Sequence, residues 1–151
     1  MSDLLQILSP ENVFYQFKAG SKEECISKMI ELATANGQLP AASKSEIIEA
    51  LLNREKSMST GIGQGLAIPH CSVTSISKIQ CFMAISKEGI EFDSIDEALV
   101  HIVILLIVPK SQFQEHIRTL AQIAKSLNQK DRRERLIQAN NFEEISQSFQ
   151  T

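Results

Sequence analysis

The stretch His101 to Pro109 (HIVILLIVP) constrains this chain more than any other feature of its sequence. From Ile102 to Val108 it is an unbroken run of β-branched residues and leucine, closed by a proline that cannot donate to a strand ladder. A half-exposed strand alternates apolar with polar side chains, whereas one without alternation is covered on both faces. The apolar core of the run, Ile102 to Val108, is far too short to cross a bilayer. It therefore reads as a central strand in a layered fold with helices on both sides.

The flanking sequence supplies those layers. Val13, Tyr15 and Phe17 alternate with Phe14, Gln16 and Lys18, which predicts a short strand ending at Gly20. Ser21 and Glu24 make a capping-box pattern, after which Cys25, Ile26, Met29, Ile30 and Ala33 recur at helical spacing until Asn36-Gly37. The same start signal returns after Pro40 at Ser43 and Glu46, with Ile47, Ile48, Leu51 and Leu52 as the stripe of a second helix running into Arg54. Leu66 to Ile68 and Ile79 to Ile85 read as further strands, with a turn or edge hairpin between Glu88 and Glu97. Ser111 and Gln114 predict a capped helix with the stripe Phe113, Ile117, Leu120, Ala124 and Leu127, and shorter helices are expected near 130–139 and 142–149. Interleaved helices and strands predict an α/β fold, a mixed sheet sandwiched between helices.

No repeat, linker or low-complexity tract divides the 151 residues, so residues 1–151 read as one domain. A net charge of -3 argues against nucleic acid. The cluster Lys130, Arg132, Arg133 and Arg135 is interrupted by Asp131 and Glu134, the pattern of a solvated helix face. MSDLLQILSP lacks a basic, long-apolar signal, so a cytoplasmic location without membrane insertion is expected. Cys25, Cys71 and Cys81 form an odd set without CxxC spacing and read as free thiols.

Segment 57–65 (SMSTGIGQG) carries Gly61, Gly63 and Gly65 within five positions, too costly in backbone entropy for a helix or a central strand. It leads through Pro69 to His70. Histidine is nucleophilic and titrates near neutrality, and amides of a glycine-rich loop can face an anion, with Ser59 and Thr60 adding hydroxyls. The loop lacks the GK[ST] of a Walker A sequence and has GxGxG where a dinucleotide fingerprint has GxGxxG. A tight turn beside a structural histidine fits the same residues. His116 sits at the edge of its helical stripe, where it either bonds a backbone carbonyl or meets His70. His101 reads as a boundary residue. No ligand spacing links His70, Cys71, Cys81, His101 and His116, so neither a metal nor another cofactor is expected. Cys71 and His70, as neighbours on extended backbone, point to opposite sides and form no catalytic pair.

Arg54 to His70, REKSMSTGIGQGLAIPH, closely resembles the active-site signature of enzyme IIA proteins of the fructose/mannitol class of the bacterial phosphotransferase system. The resemblance continues through EFDSID at 91–96, LIVP at 106–109 and EHIRTLAQIAKSL at 115–127, and is greatest to the nitrogen-regulatory branch. It implies that His70 accepts phosphate from an HPr-like phosphocarrier, that His116 supports the phosphorylated ring, and that Arg54 assists transfer or partner contact. It further implies Nε2 as the phosphorylated atom, with Nδ1 held by backbone. Partners would be regulatory targets or a IIB protein, and a homodimer is open. The alternatives are a IIA of a sugar-uptake system and a binding module never phosphorylated. One departure stands out: the family usually has glycine after the active histidine, and here Cys71 occupies that position.

Overall fold

The computed structural model describes residues 3–150. The long apolar run forms β6 (Val100–Pro109), the strand on which the sheet is assembled. On one side it pairs antiparallel with β5 (Gln80–Ile90), which pairs in parallel with β1 (Leu8–Phe14). On the other side β6 pairs in parallel with β3 (Leu66–Ala67) and then with β4 (His70–Val73), while β3 pairs antiparallel with β2 (Gly61–Gly63). The sheet is mixed, as expected, and β3 and β4 are two segments of one line interrupted at Ile68-Pro69. The ladder hardly breaks there, because the Pro69 carbonyl accepts the Leu106 N–H at 2.9 Å.

Alternate side chains of β6 enter two cores. Val103, Leu105 and Ile107 pack with Ile26, Ile30, Ile47 and Leu51 of α2 (Lys22–Ala35) and α3 (Lys44–Ser57). Ile102, Ile104 and Leu106 pack with Ile123, Leu136 and Ile145 of α4 (Phe113–Ser126), α5 (Lys130–Gln138) and α6 (Phe142–Ser148), and with Leu4 of α1 (Asp3–Ile7). Full burial of each such side chain contributes roughly 1.5–3 kcal/mol, so two-sided burial makes β6 the strongest tether in the fold. Among the described residues no helix is long and apolar enough to cross a membrane.

Several local expectations are corrected. The first strand begins earlier, at Leu8, and ends at Phe14, because Gln16 turns the chain with a φ of 52°. Ser21 caps α2 as predicted, accepting from the Glu24 N–H at 3.2 Å. Ser43 and Ser111 cap nothing: α3 and α4 are each entered through a one-turn 3-10 helix, Ala41–Ser43 and Lys110–Gln112, launched by Pro40 and Pro109. Proline fixes the entry φ and replaces the side-chain cap. Of the stripe predicted for α4 only Leu127 is buried and Ile117 is exposed, whereas the buried residue within the helix is Ile123, which the predicted stripe left out. Nor is Arg132 solvated. It is 8% exposed, and its guanidinium donates to the carbonyls of Ser126, Ser148 and Phe149, tying together the ends of α4 and α6.

Candidate functional site

β4 has β6 as its partner in the sheet and presents its outer edge beyond the end of β2 and β3. Along it burial alternates: Cys71 and Val73 enter the core beneath α3, whereas His70 and Ser72 face the opposite way and are half-buried. A cleft of about 240 Å³ spans this edge, lined by Ala50 and Arg54 of α3, by His70, Cys71 and Ser72, and by Phe113 at the start of α4. The structure thus brings Arg54 and His70 together from positions sixteen residues apart in sequence.

The His70 ring is fixed from behind. Nδ1 lies 2.8 Å from the carbonyl oxygen of Ile68, a contact that a backbone acceptor satisfies only when Nδ1 carries the hydrogen. Nε2 is then the atom with the lone pair. Burial depresses the imidazole below its ordinary pKa of 6.5. The Ile68 hydrogen bond opposes that effect, Arg54 adds to it, and Glu55 acts against Arg54. The ring is accordingly neutral at pH 7, the state in which it is a nucleophile. The Arg54 Nη1 donates to the Met58 carbonyl at 2.9 Å, and Arg54 has no carboxylate partner among the described residues, leaving its charge available.

The glycine-rich loop divides into two parts. Thr60 lies close: its carbonyl accepts the Ile68 N–H at 3.1 Å, two residues before His70. Ser59 bonds the Phe92 carbonyl and receives the Gly61 N–H at 3.1 Å. Gly63 and Gly65 lie elsewhere. The Gly65 carbonyl accepts from His101 and Ile102, whereas His70 pairs with Leu106, about 13–17 Å further along β6 at ~3.3 Å per residue. These glycines build a hairpin turn, with φ of 98° and 80°, pinned by Asp96, whose carboxylate accepts the Gln64 N–H at 2.8 Å. Gly61 is required for close approach, since a Cβ there would lie 2.3 Å from Ser94 Oγ.

His116 sits one turn into α4 beyond Phe113, and its Nδ1 is buried without a hydrogen-bond partner, so the backbone-carbonyl role considered from sequence is not what is observed. His101 is a boundary residue whose Nδ1 faces the Ser86 carbonyl at 2.8 Å. Cys71 is 6% exposed, and burial, with a smaller contribution from Glu46, pushes its thiol up to about 12; at neutral pH it is therefore the thiol and not the thiolate.

Sequence reasoning gave no site role to Glu55, Ser72 or Phe113, the last of which it read only as part of a helical stripe. The signal for Glu55 was present: it stands four residues after Leu51 and eight after Ile47, on the buried stripe of α3, where a carboxylate needs a reason. Its carboxylate accepts the Thr60 N–H at 3.2 Å and the Thr60 hydroxyl.

A neutral imidazole at a sheet edge, with an arginine lining the same cleft, is an arrangement that can receive an anionic group. The chain belongs to the family described as "Phosphoenolpyruvate-dependent sugar phosphotransferase system, EIIA 2", whose model matches residues 6–151. It is 35% identical to a "Nitrogen regulatory protein" of Pseudomonas aeruginosa over 97% of this chain and 94% of that one. It is 29% identical to a "PTS system fructose-specific EIIA component" of Haloferax volcanii, over 96% of this chain and 93% of that one. The nitrogen regulatory protein IIA-Ntr of Neisseria meningitidis superposes with a TM-score of 0.85 at 29% identity, covering 96% of this chain and 97% of that one.

Proposed function

We propose that His70 carries a phosphoryl group received from an HPr-like phosphocarrier, and that its phosphorylation state regulates partner proteins. The observation that carries the reading is the Nδ1 contact with the Ile68 carbonyl, which leaves Nε2 as the nucleophile. In the transfer the Nε2 lone pair attacks phosphorus, the P–N bond of the donor's phosphohistidine breaks, and its electron pair returns to the donor nitrogen. Nδ1 keeps its hydrogen throughout. Transfer of this kind asks the protein for positioning and charge stabilisation more than for covalent help. Arg54 offsets the equatorial oxygens, Thr60 and Ser59 shape the near end of the loop, and His116 supplies a ring nitrogen without a partner to the phosphorylated state.

The regulatory assignment follows the nitrogen-regulatory relative. A second reading, supported by the fructose-specific relative, is a IIA that passes its phosphoryl group to a IIB protein of a sugar-uptake system. Incubation with enzyme I, phosphocarrier and labelled phosphoenolpyruvate tests the common core: acid-labile label appears on the wild type and is absent from His70→Ala. Unlabelled wild-type protein would leave only the binding-module reading. Delivery of the label to a cognate IIB favours sugar uptake over regulation.

A further inference from the structure

We infer that Glu55 is a positioning residue for His70, acting through Thr60 and Ile68 to fix which ring nitrogen is free to accept the phosphoryl group. The inference rests on the phosphoryl-acceptor reading of His70.

Glu55 is 3% exposed, a degree of burial that carboxylates adopt almost only when paired. Its partners are not cations. Among the described residues no lysine or arginine forms an ion pair with it, and both its oxygens accept from one residue, Thr60. A buried carboxylate is costly, and this one clasps the end of α3 to the residue that precedes β2. Thr60, 4% exposed, passes the constraint on: its carbonyl receives the Ile68 N–H at 3.1 Å, and the Ile68 carbonyl faces His70 Nδ1 at 2.8 Å. Three successive links thus run from the carboxylate to the imidazole.

The last link selects chemistry. A free imidazole favours the tautomer with hydrogen on Nε2, which has no lone pair to offer there. A fixed Ile68 carbonyl reverses that preference and turns the ring so that Nε2 faces the cleft. Glu55 adds a charge effect, since its carboxylate favours the protonated ring and counters Arg54, the other α3 charge acting on His70. From the α4 side, Phe113 lines the cleft and His116 follows it by one turn.

The test uses the full chain labelled with nitrogen-15, with the imidazole shifts of His70 giving tautomer and titration midpoint, and phosphoryl acceptance measured beside them. Glu55→Ala and Thr60→Val should raise the Nε2–H tautomer and slow acceptance about tenfold, as expected when a reacting atom is loosely placed. Glu55→Gln can accept the Thr60 N–H and donate to its hydroxyl, so it should retain the Nδ1–H tautomer while the midpoint moves down with the lost charge. A merely structural glutamate would lower melting temperature and leave the tautomer in place. Wild-type tautomer and rate in folded Glu55→Ala, or in Thr60→Val should the alanine variant not fold, overturn the inference. Absence of label on the wild type overturns the acceptor reading alone, because the tautomer measurements still report on the clasp.

Discussion

Cys71→Gly separates stability from function at the residue that follows His70. The Cys71 side chain is 6% exposed and packs with Val73, Leu105 and Ile107 beneath α3, on the face of β4 opposite His70. Removing two buried heavy atoms costs about 1–2 kcal/mol in transfer and cavity terms. A glycine within a strand adds roughly 0.5–1 kcal/mol of backbone entropy. The sum, about 1.5–3 kcal/mol, corresponds to a fall in Tm on the order of 3–12 °C for a domain of this size. Urea denaturation and a melting scan measure that loss, and phosphoryl acceptance at 25 °C, well below the transition, should stay within about threefold of wild type, since misplacement of the ring is what slows transfer. A variant of unchanged stability with altered transfer would refute the reasoning and place the thiol at the partner's path.

Acceptance should persist below pH 6.5, because burial holds the His70 imidazole below that value and the neutral ring is the reactive form; an inflection at or above 6.5 in the rate profile would contradict this. The same depression means that the unfolded chain binds a proton the folded one does not, so stability falls as pH drops below about 6.5, and His70→Ala should flatten that slope in denaturation series at pH 5 to 7. Gly61→Ala drives a Cβ to within 2.3 Å of Ser94 Oγ, and should cost about 1–3 kcal/mol by denaturation while weakening protection of the Ile95 amide, which donates to the Gly61 carbonyl. Ile123→Ala, at the fully buried anchor of α4, should cost about 2–5 kcal/mol and raise amide exchange along the helix; unchanged exchange would mean that its first turns hold the helix in place.

The sequence and the structure agree most closely where one physical demand dominates. The run through Ile102 to Val108 has no polar side to expose, so its place at the centre of two cores was legible. So was the Ser21 cap, a local bond made within one turn. Ser43 and Ser111 carried the same pattern and failed, because Pro40 and Pro109 enforce a 3-10 entry before a serine can cap. Arg132 was misread for a different reason: its acceptors, the carbonyls of Ser126 and Ser148, are set by the packing of α4 and α6, which no charge pattern encodes. At the site His70 stood out, but the division of the loop did not. Which glycines approach the histidine depends on the register of β3 and β4 along β6, a long-range property. Glu55 was legible in principle from the α3 stripe.

The interruption of the β3–β4 line at Pro69 has a consequence for speed. Where β2 and β3 stop, no further strand is laid over β4, and no lid among the described residues spans the cleft between Arg54 and Phe113. In the carrier proposed above, His70 would meet its donor without any part of the described fold opening first. Turnover in such a carrier is governed by encounter and departure of partners, so added viscosity and ionic strength, more than temperature-driven motion of this chain, should set its pace.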